Sequence, residues 1–331
     1  MSWWRSRRRS VCWSSCCTTR SGSSCSGGRN EGGRGLISFR YHLVSIVAVF
    51  LAVALGILVG ATVVKQSVID NLTTRAGDAV KLSNELRSEL ALWQKFGTQS
   101  RHLLVGNELA SQSFVIVTAQ GVSLAYVDGV VGVLRDAGGS VSAIVSATSA
   151  IAANDAPTTA RLAQLLSDPA GTAPGQLMMD AGRAIANRLI TGPQADDDFL
   201  LNLTGGGFLS VRLEDAKQVA EVGGGTQAVV VLSGSTANAV VPPQQLFIPM
   251  LETLAASNHP TAAGETLQST YPFVTLARRD RRIDGSIVSV DDADTLPGQV
   301  ALAIGLHELV INKRGGDFGV KSGASSLLPG T

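Results

Sequence analysis

The feature that most constrains this chain is an uncharged apolar run of 22 residues, "LVSIVAVFLAVALGILVGATVV", from Leu43 to Val64. Because an α-helix rises about 1.5 Å per residue, about 20 apolar residues match the hydrocarbon core of a bilayer. A buried helix of a soluble protein rarely stays apolar on every face for that length. A cleaved signal has a shorter apolar core that ends at a cleavage site. The run therefore predicts an uncleaved transmembrane signal anchor over residues 43–64.

The basic residues around this run predict its orientation. Arg34 and Arg40 lie just before it, with further arginines upstream, whereas the first basic residues after it are Lys65 and, further on, Arg75. Lysine and arginine are enriched on the cytoplasmic side of membrane helices. We therefore expect a single-pass protein of the cell membrane with a cytoplasmic N-terminus and residues 66–331 outside the cytoplasm.

One face of the anchor is built from small residues. Ala48, Ala52, Gly56 and Gly60 recur every four residues, and this spacing lets two helix backbones approach closely in lipid. The pattern predicts a membrane dimer face. The alternative is ordinary composition, because membrane helices are rich in glycine and alanine.

Residues 1–35 differ in composition from everything that follows. They hold seven arginines, one glutamate and all four cysteines, Cys12, Cys16, Cys17 and Cys25. Since they have no helical or strand period, we interpret them as a disordered basic Cys/Ser-rich extension, with a mis-assigned start as one explanation. The alternative is a metal-binding or targeting tail, against which Cys16 and Cys17 are adjacent and no C-x-x-C pair occurs.

The rest of the chain is mildly acidic and free of cysteine. The whole chain has 27 basic and 26 acidic residues, so residues 36–331 carry a net charge of −5. Nucleic-acid binding needs a clustered basic face, so nucleic acid is excluded as a partner. Without cysteine, this part has no disulfide and no cysteine metal site, which is compatible with an oxidising compartment.

Residues 65–100 have a heptad-like pattern that predicts a coiled-coil stalk. Its seam positions are mostly apolar, and they are Val68, Leu72, Ala79, Leu82, Leu86, Trp93 and Phe96. Arg75 and Glu89 interrupt the seam, and Gly77 weakens the helix. The alternative is a single amphipathic helix that lies on the following domain. A parallel coiled coil would continue a paired membrane helix, so both signals together predict a homodimer.

From Ser113 onward, short apolar strand patterns alternate with helical ones. The predicted strands are "SFVIVTA", "SVSAIVSA", "GFLSVRL", "TQAVVVLSGS", "PFVTLARR" and "GSIVSV". The predicted helices are "VSLAYVDGVVGVLRDAGG", 157–167, 177–190, 196–204, "PPQQLFIPMLETLAAS" and "DTLPGQVALAIGLHELVIN". Alternation of this kind predicts one doubly wound, mostly parallel α/β domain over residues 110–315, Rossmann- or flavodoxin-like. Residues 316–331 form a Gly-rich tail, either an ordered loop or a frayed end.

No catalytic constellation is found in the sequence. There is no G-x-S-x-G, no P-loop lysine and no G-x-G-x-x-G after a strand, and the glycine clusters 205–207 and 223–225 precede strands instead. His307 and Glu308 are adjacent, so they do not share a helical face. The sequence therefore predicts no enzyme, no catalytic residue and no evident cofactor.

Two acidic clusters are candidate sites for a hard cation. They are Asp196–Asp198 and the group Asp291, Asp292 and Asp294. Both precede helical patterns, so helix capping and solvated loops are the preferred interpretation.

The opening "LISFRYHLVSIVAVFLAVALGILVGATVV" resembles the start of the MctB-like actinobacterial copper-transporter family, whose members begin Met-Ile-Ser-Leu-Arg-x-His. The matching residues are Ile37, Ser38, Phe39, Arg40 and His42, and Leu36 stands where the family has its methionine. The similarity continues through the stalk, "SFVIVTA" and the closing "GQVALAIGLHELVINKRGGDFGVKSGASSLLP", and it covers about residues 36–331.

The resemblance implies a membrane-anchored envelope protein of copper efflux or homeostasis, with the outer membrane as an alternative location. It also implies an alternative role as a septal envelope adaptor in cell separation, with a cell-wall hydrolase protein as partner. The residues argue against a copper site, because Cu(I) selects thiolates and thioethers. Residues 36–331 have only Met178, Met179 and Met250, so the metal ligands stay unknown.

Overall fold

The computed structural model describes residues 39–194, 198–234 and 241–330, and at 62–68 it describes only the course of the helix. The chain divides into two compact units between Lys81 and Leu82. The predicted extension 1–35 lies outside the described residues.

In chain order the helices and strands are α1 (Phe39–Val105), β1 (Ser113–Ala119), α2 (Leu124–Asp136), β2 (Ser140–Ala147), α3 (Ala156–Leu166), α4 (Pro174–Thr191), α5 (Phe199–Gly205), β3 (Leu209–Leu213), β4 (Gln227–Ser233), α6 (Pro243–Ala256), β5 (Thr261–Glu265), α7 (Phe273–Arg279), β6 (Val288–Val290), α8 (Leu296–Asn312) and β7 (Gly316–Phe318). Short 3₁₀ turns occur at Ser149–Ala152 and Val219–Glu221.

The first unit contains the apolar part of α1. The segment Phe39–Ala61 has a mean hydropathy of 2.9, and no part of it is buried. It is the one helix of the described residues that is long and apolar enough to cross a membrane. This agrees with an N-terminal single-pass anchor.

The second unit contains a seven-stranded sheet in the order β3-β2-β1-β4-β5-β6-β7. All neighbouring strands are parallel except β3, which runs antiparallel to β2. Connections leave β1 and β4 in opposite directions along the sheet, so a topological switch point lies between these two strands. The predicted mostly parallel α/β fold is confirmed.

Each face of the sheet carries its own apolar core. Alternate residues of β1 point to opposite faces, so Val115 and Val117 pack in one core and Phe114 and Ile116 in the other. The first core includes residues of α3 to α7, and the second includes residues of α2 and α8. Strand β4 is buried at every position after Gln227, as a parallel sheet covered on both faces requires.

Capping residues fix several helix starts. Asp155, Asp198 and Thr295 each accept a hydrogen bond from a backbone N–H in the first turn of α3, α5 and α8. Proline lies in the first turn of α3, α4, α6 and α8, where its missing N–H costs no helical hydrogen bond. These signals explain why these helices were found from the sequence.

One predicted strand is wrong. "PFVTLARR" forms the helix α7, in which Phe273, Val274 and Ala277 are buried. Their spacing is helical, and the preceding Pro272 stands at the N-cap position. The neighbouring strand is β5, "TAAGE", in which Thr261 is the one β-branched residue and no residue is aromatic, so its strand signal is weak. A Cβ on its Gly264 would stand 2.9 Å from Leu232 Cδ2, so packing favours glycine there.

The last turns of α1 pack on the α/β domain. A Cβ on Gly97 would overlap the Leu296 side chain at 2.0 Å, and Val105 is fully buried. Arg101 pairs with Asp136 at 2.5 Å. The alternative of a helix lying on the domain therefore describes these turns, whereas Trp93 and Phe96 just before them are exposed.

Candidate functional site

The small-residue face of the anchor is open. Ala48, Ala52, Gly56 and Gly60 lie on α1 and are exposed. A Cβ placed on Gly56 or Gly60 would meet nothing within 4 Å. This face therefore has room for a second helix backbone, and the dimer stays a prediction.

The predicted stalk seam is exposed along α1. Its described members are Leu72, Ala79, Leu82, Leu86, Trp93 and Phe96, while the side chain of Val68 lies outside the description. Leu86 is 56% and Trp93 62% exposed, and the rings of Trp93 and Phe96 meet edge to face at 6.0 Å. The seam residues are thus not covered by their own chain where they are described, and the coiled coil stays a prediction.

A second candidate region lies at the carboxyl edge of the sheet, where doubly wound folds bind ligands. Glu265 ends β5, and Asp291 and Asp292 follow β6 directly. All three are buried. The preferred expectation of solvated acidic loops is therefore wrong for Asp291 and Asp292; the C-terminal segment contacts Asp291, and Asp292 is enclosed at the turn into α8.

Arg278 and Asp291 hold that segment. The Arg278 guanidinium donates to Asp291 Oδ2 at 2.6 Å and to the Phe318 carbonyl at 2.7 Å. Asp291 Oδ1 accepts from the backbone N–H of Val320 and Lys321. Both charged side chains are almost fully buried, at 3% and 0% exposure. The interactions fix the chain after β7.

Lys321 makes the second connection. Its Nζ donates to Glu265 Oε1 at 2.6 Å and to the Thr266 carbonyl at 2.8 Å. Burial raises the pKa of Glu265 and the Lys321 ammonium opposes that rise. Strand β7 and these two ion pairs show that residues 316–330 form an ordered segment on the domain.

The neighbouring aspartates cap and close the turn into α8. Asp294 Oδ1 accepts from the Leu267 N–H at 2.7 Å, and Asp292 Oδ2 accepts from the Thr295 hydroxyl at 3.1 Å. Burial raises the pKa of Asp292. Its Oδ1 is buried without a hydrogen-bond partner among the described residues.

Next to this network, the switch point holds a pocket at the N-terminus of α2. We name it the switch-point pocket, and it is lined by Gly121, Ser123, Ala125, Tyr126, Gly234, Thr266, Gln268 and Asp294. Ser123 is the N-cap of α2 and makes no side-chain capping bond. Burial, with help from Asp294, Glu265 and Asp292, raises the pKa of Tyr126.

The other acidic cluster is only partly described. Asp196 and Asp197 lie outside the described residues, while Asp198 caps α5 and pairs with Arg188 at 2.5 Å. Both partners are buried. The capping interpretation is confirmed for Asp198, although its surroundings are not a solvated loop.

Three histidines of the described residues lie within hydrogen-bond distance of a backbone carbonyl oxygen. His307 Nδ1 lies 2.8 Å from the Glu108 carbonyl oxygen and 3.1 Å from its carboxylate. His259 Nε2 lies 2.8 Å from the Gln227 carbonyl oxygen, and burial lowers the pKa of His259. His102 Nδ1 lies 3.2 Å from the Asp136 carbonyl oxygen.

Among the described residues, no group of three or more His, Cys, Asp or Glu side chains is placed to hold a metal ion. Met178 and Met250 are buried members of one apolar core. Sequence reasoning missed Glu265, Arg278, Lys321, Tyr126 and Thr266 as members of one region. Only the strand order brings them together, and no local motif marks it.

The described residues combine one apolar helix that is long enough to cross a membrane with a doubly wound, mostly parallel α/β domain. The comparisons with known proteins add the family. Residues 36–329 match the family model described as "Copper transport outer membrane protein, MctB". The chain belongs to this family, and it is a membrane protein of the copper-transport family.

Relatives of moderate sequence identity are named copper transporter MctB. The copper transporter MctB of Mycobacterium tuberculosis and that of Mycobacterium bovis are each 27% identical over 322 residues, which cover 88% of this chain and 99% of theirs. The copper transporter MctB of Mycobacterium leprae is 25% identical over 323 residues, with the same coverage.

Proposed function

We propose that this protein is a non-enzymatic component of copper efflux and homeostasis in the cell envelope, which acts as a homodimer on a single membrane anchor. The observation that carries the proposal is the family match over residues 36–329. The apolar segment Phe39–Ala61 supports the anchor. The Arg34 and Arg40 side of that segment supports a cytoplasmic N-terminus and a domain outside the cytoplasm.

The proposal gives the protein an assisting role toward copper, which is the cargo. Cu(I) prefers thiolate and thioether ligands, and Met178 and Met250 are enclosed in the core. One membrane helix cannot form a conduit by itself. Copper is therefore moved by an assembly in which this chain takes part.

The proposed dimer uses two surfaces of α1. Gly56 and Gly60 leave room for a close helix contact in lipid, and the exposed seam members Leu86 and Trp93 provide apolar surface beyond it. Cysteine crosslinking at Leu86 in native membranes is expected to give a dimer band. A band that is absent there, but present in a positive control dimer, would contradict the dimer.

Two measurements test the copper role. A deletion strain is expected to lose copper tolerance, and the full chain is expected to restore it; normal tolerance in the deletion strain would remove the proposal. Calorimetry with Cu(I) and Cu(II) uses the full chain with Cys12, Cys16, Cys17 and Cys25 changed to serine. We expect no tight site, and a stoichiometric high-affinity site would replace the assisting role with direct binding.

The same exposed seam favours a second candidate, a septal adaptor in cell separation that binds a cell-wall hydrolase protein. Exposed aromatic residues such as Trp93 and Phe96 are typical of protein interfaces. The deletion strain would then form chains of unseparated cells, and Trp93→Ala would fail to complement it. Normal separation in the deletion strain would exclude this role and leave the copper proposal standing.

The location is tested by fractionation. We propose the cell membrane, because one apolar helix is a sufficient anchor; the outer membrane is the alternative, from the wording of the family's description. Protease added to cells with a permeabilised outer layer should degrade the domain and spare the N-terminus. Co-fractionation with outer-membrane markers would favour the alternative.

A further inference from the structure

We propose that Glu265 and the Thr266 carbonyl oxygen form a binding site for a primary ammonium group, and that residues 319–330 are an autoinhibitory strap that fills this site with Lys321. The site lies where β5 ends, at the carboxyl edge of the sheet. Doubly wound domains bind their ligands at this edge. The ligand that the site takes is a lysine side chain presented by another peptide segment, and the site does not depend on the copper role.

The group that occupies the site defines its chemistry. Lys321 Nζ lies 2.6 Å from Glu265 Oε1 and 2.8 Å from the Thr266 carbonyl oxygen. Glu265 is fully buried, while the Lys321 side chain is 21% exposed, so the ammonium position is reached from solvent. An ammonium donates hydrogen bonds and accepts none. The structure thus shows that the site has the room and the acceptors for such a group.

The Glu265 carboxylate selects a cation. Its Oε2 accepts the Val274 N–H at 2.9 Å, which fixes the carboxylate and leaves Oε1 for the ligand. Burial raises the pKa of Glu265, and the Lys321 ammonium opposes that rise. A neutral ligand would leave a buried charge without a partner. The other carboxylate that acts on Glu265, Asp291, is itself paired with Arg278.

The strap covers the site but buries little apolar surface. None of the residues 320–330 is buried, and Val320 is 60% and Leu327 44% exposed. Leu328 is partly buried against the second core. Segments with few buried apolar contacts open locally, before the whole domain unfolds. The strap therefore opens while the sheet stays folded.

The chain before the strap is held more firmly. Phe318 is buried, its carbonyl accepts from Arg278 at 2.7 Å, and Arg278 and Asp291 form an almost fully buried ion pair. Gly319 follows with a φ of +123°, and glycine rotates there without the steric cost of a side chain. Opening at Gly319 breaks the bonds from the backbone N–H groups after it to Asp291, while Asp291 keeps Arg278. Lys321 is thus the latch of the strap.

Hydrogen-exchange mass spectrometry of the full chain in lipid nanodiscs tests the opening. The N–H groups of Val320 and Lys321 donate to Asp291, and that of Ser325 donates to the Asp317 carbonyl. We expect these amides to exchange together, and more than about tenfold faster than those of the buried strand β4. If they exchanged as slowly as β4, the strap would open only with the whole domain, and the proposal would be overturned.

Lys321→Met tests the latch, because methionine keeps much of the side-chain length and loses the ammonium. The amides of residues 319–330 should exchange about tenfold faster than in the parent, and unchanged exchange in β4 shows that the domain is folded. Lys313→Met is the matched control, because Lys313 is an exposed lysine at the C-cap of α8. Its strap should exchange as in the parent. Equal strap exchange in the parent and Lys321→Met would contradict the role of Lys321.

A peptide added in trans tests the ammonium site itself. A fluorescent peptide with the sequence of residues 319–330, "GVKSGASSLLPG", should bind the full chain carrying Lys321→Met, as measured by fluorescence polarisation. The parent should bind it more than about tenfold more weakly, because its own tethered Lys321 has a high effective concentration. The same peptide with Lys321→Met should also bind about tenfold more weakly, because it lacks the charged donor.

Glu265→Gln, added to the Lys321→Met chain, removes the carboxylate and keeps an acceptor for the Val274 N–H. It should weaken peptide binding about tenfold, with a urea midpoint no lower than that of Lys321→Met, because no unpaired buried charge remains. The site is overturned if the peptide does not bind the Lys321→Met chain, if the methionine peptide binds equally well, or if Glu265→Gln leaves binding unchanged. Faster strap exchange without peptide binding would make Lys321 a structural contact only, and it would overturn the site as well.

Discussion

The apolar segment of α1 and the central strand β4 are both continuous apolar runs, yet their surroundings are opposite. No part of Phe39–Ala61 is buried, whereas β4 is buried at every position after its first. The difference is one of length and geometry: the strand is covered by helices on both faces, and the 23-residue helix matches a bilayer. Apolar composition alone therefore does not say whether the partner is protein or lipid.

The largest expected effect is the loss of membrane insertion when charges are placed in the apolar segment of α1. Leu51→Arg together with Leu55→Arg places two charges near the middle of the apolar segment. Each should cost about 2.5–3.5 kcal/mol of insertion free energy, so about 5–7 kcal/mol together. The variant should move from the membrane pellet to the soluble or aggregated fraction after alkaline extraction.

Leu86→Arg together with Leu90→Arg is the matched control for the anchor. These leucines are exposed on the same helix beyond the apolar segment, so the control should remain in the membrane pellet. Equal extraction of both double variants would show that Phe39–Ala61 is not the anchor.

The second effect concerns the charged edge of the domain. Asp291→Ala removes the partner of the buried Arg278 and the acceptor of two backbone N–H groups. Leaving a buried charge without its partner costs about 3–5 kcal/mol. Urea unfolding should show this loss, and limited proteolysis should cut within residues 316–330.

Arg282→Ala is the control for the buried pair. Arg282 is also ion-paired, with Glu252 and Asp280, but its side chain is 67% exposed. Solvent screens such pairs, so its loss should stay within about 1 kcal/mol. If the two variants lost equal stability, burial would not be what gives the Arg278 pair its importance.

The third effect compares two leucines directly. Leu254 is fully buried in the domain core, and Leu86 is 56% exposed on α1. Leu254→Ala should lower the unfolding free energy of the domain by about 2–5 kcal/mol, and Leu86→Ala should change it by less than about 0.5 kcal/mol.

A dimer would make the effects of these two leucine substitutions differ further. If a second copy covers Leu86, its replacement by alanine should weaken crosslinking between chains without moving the urea midpoint of the domain. A large shift of that midpoint would mean that Leu86 packs on its own domain in solution, against the exposure seen here.

Much of the fold is predictable from the sequence, because its signals are local. The length of the apolar run, the β-rich "SFVIVTA" and "AVVVL", and the cap Thr295 each act within a few residues. The strand β5 was missed because "TAAGE" has small residues favoured by close packing at Gly264. The helix α7 was mistaken for a strand because a seven-residue element is too short to show its period.

The carboxyl-edge region was not predictable. Glu265, Arg278 and Lys321 are far apart in the chain, and their contacts span 13 to 56 positions. The acidic residues at 291–294 are visible in the sequence, but the burial of Asp291 involves the C-terminal segment, which is distant in the sequence. The strand order and the packing of the C-terminal segment depend on tertiary contacts, and no single stretch of sequence encodes them.

The smallest effect tests the electrostatics of that covered cluster. Because burial raises the pKa of Asp292 in the folded state, the folded protein binds its proton more tightly than the unfolded chain. The stability this group contributes is full below its unfolded pKa, near 3.8, and is lost as the pH rises through the folded pKa. Asp292→Asn lacks this loss and keeps an acceptor for the Thr295 hydroxyl. We therefore expect equal stability near pH 4 and a variant that is more stable than the parent at pH 7.5.

Urea unfolding of parent and variant across this range measures the difference. Glu265, whose pKa is raised, and His259, whose pKa is lowered, are present in both proteins. Their contributions to the pH dependence of stability therefore largely cancel in the difference between parent and variant. Asp291 and Asp294 both act to raise the Asp292 pKa, and both remain in the variant. A variant less stable than the parent at pH 7.5 would mean that the Asp292 charge stabilises the turn into α8, with the helix N-terminus outweighing its burial.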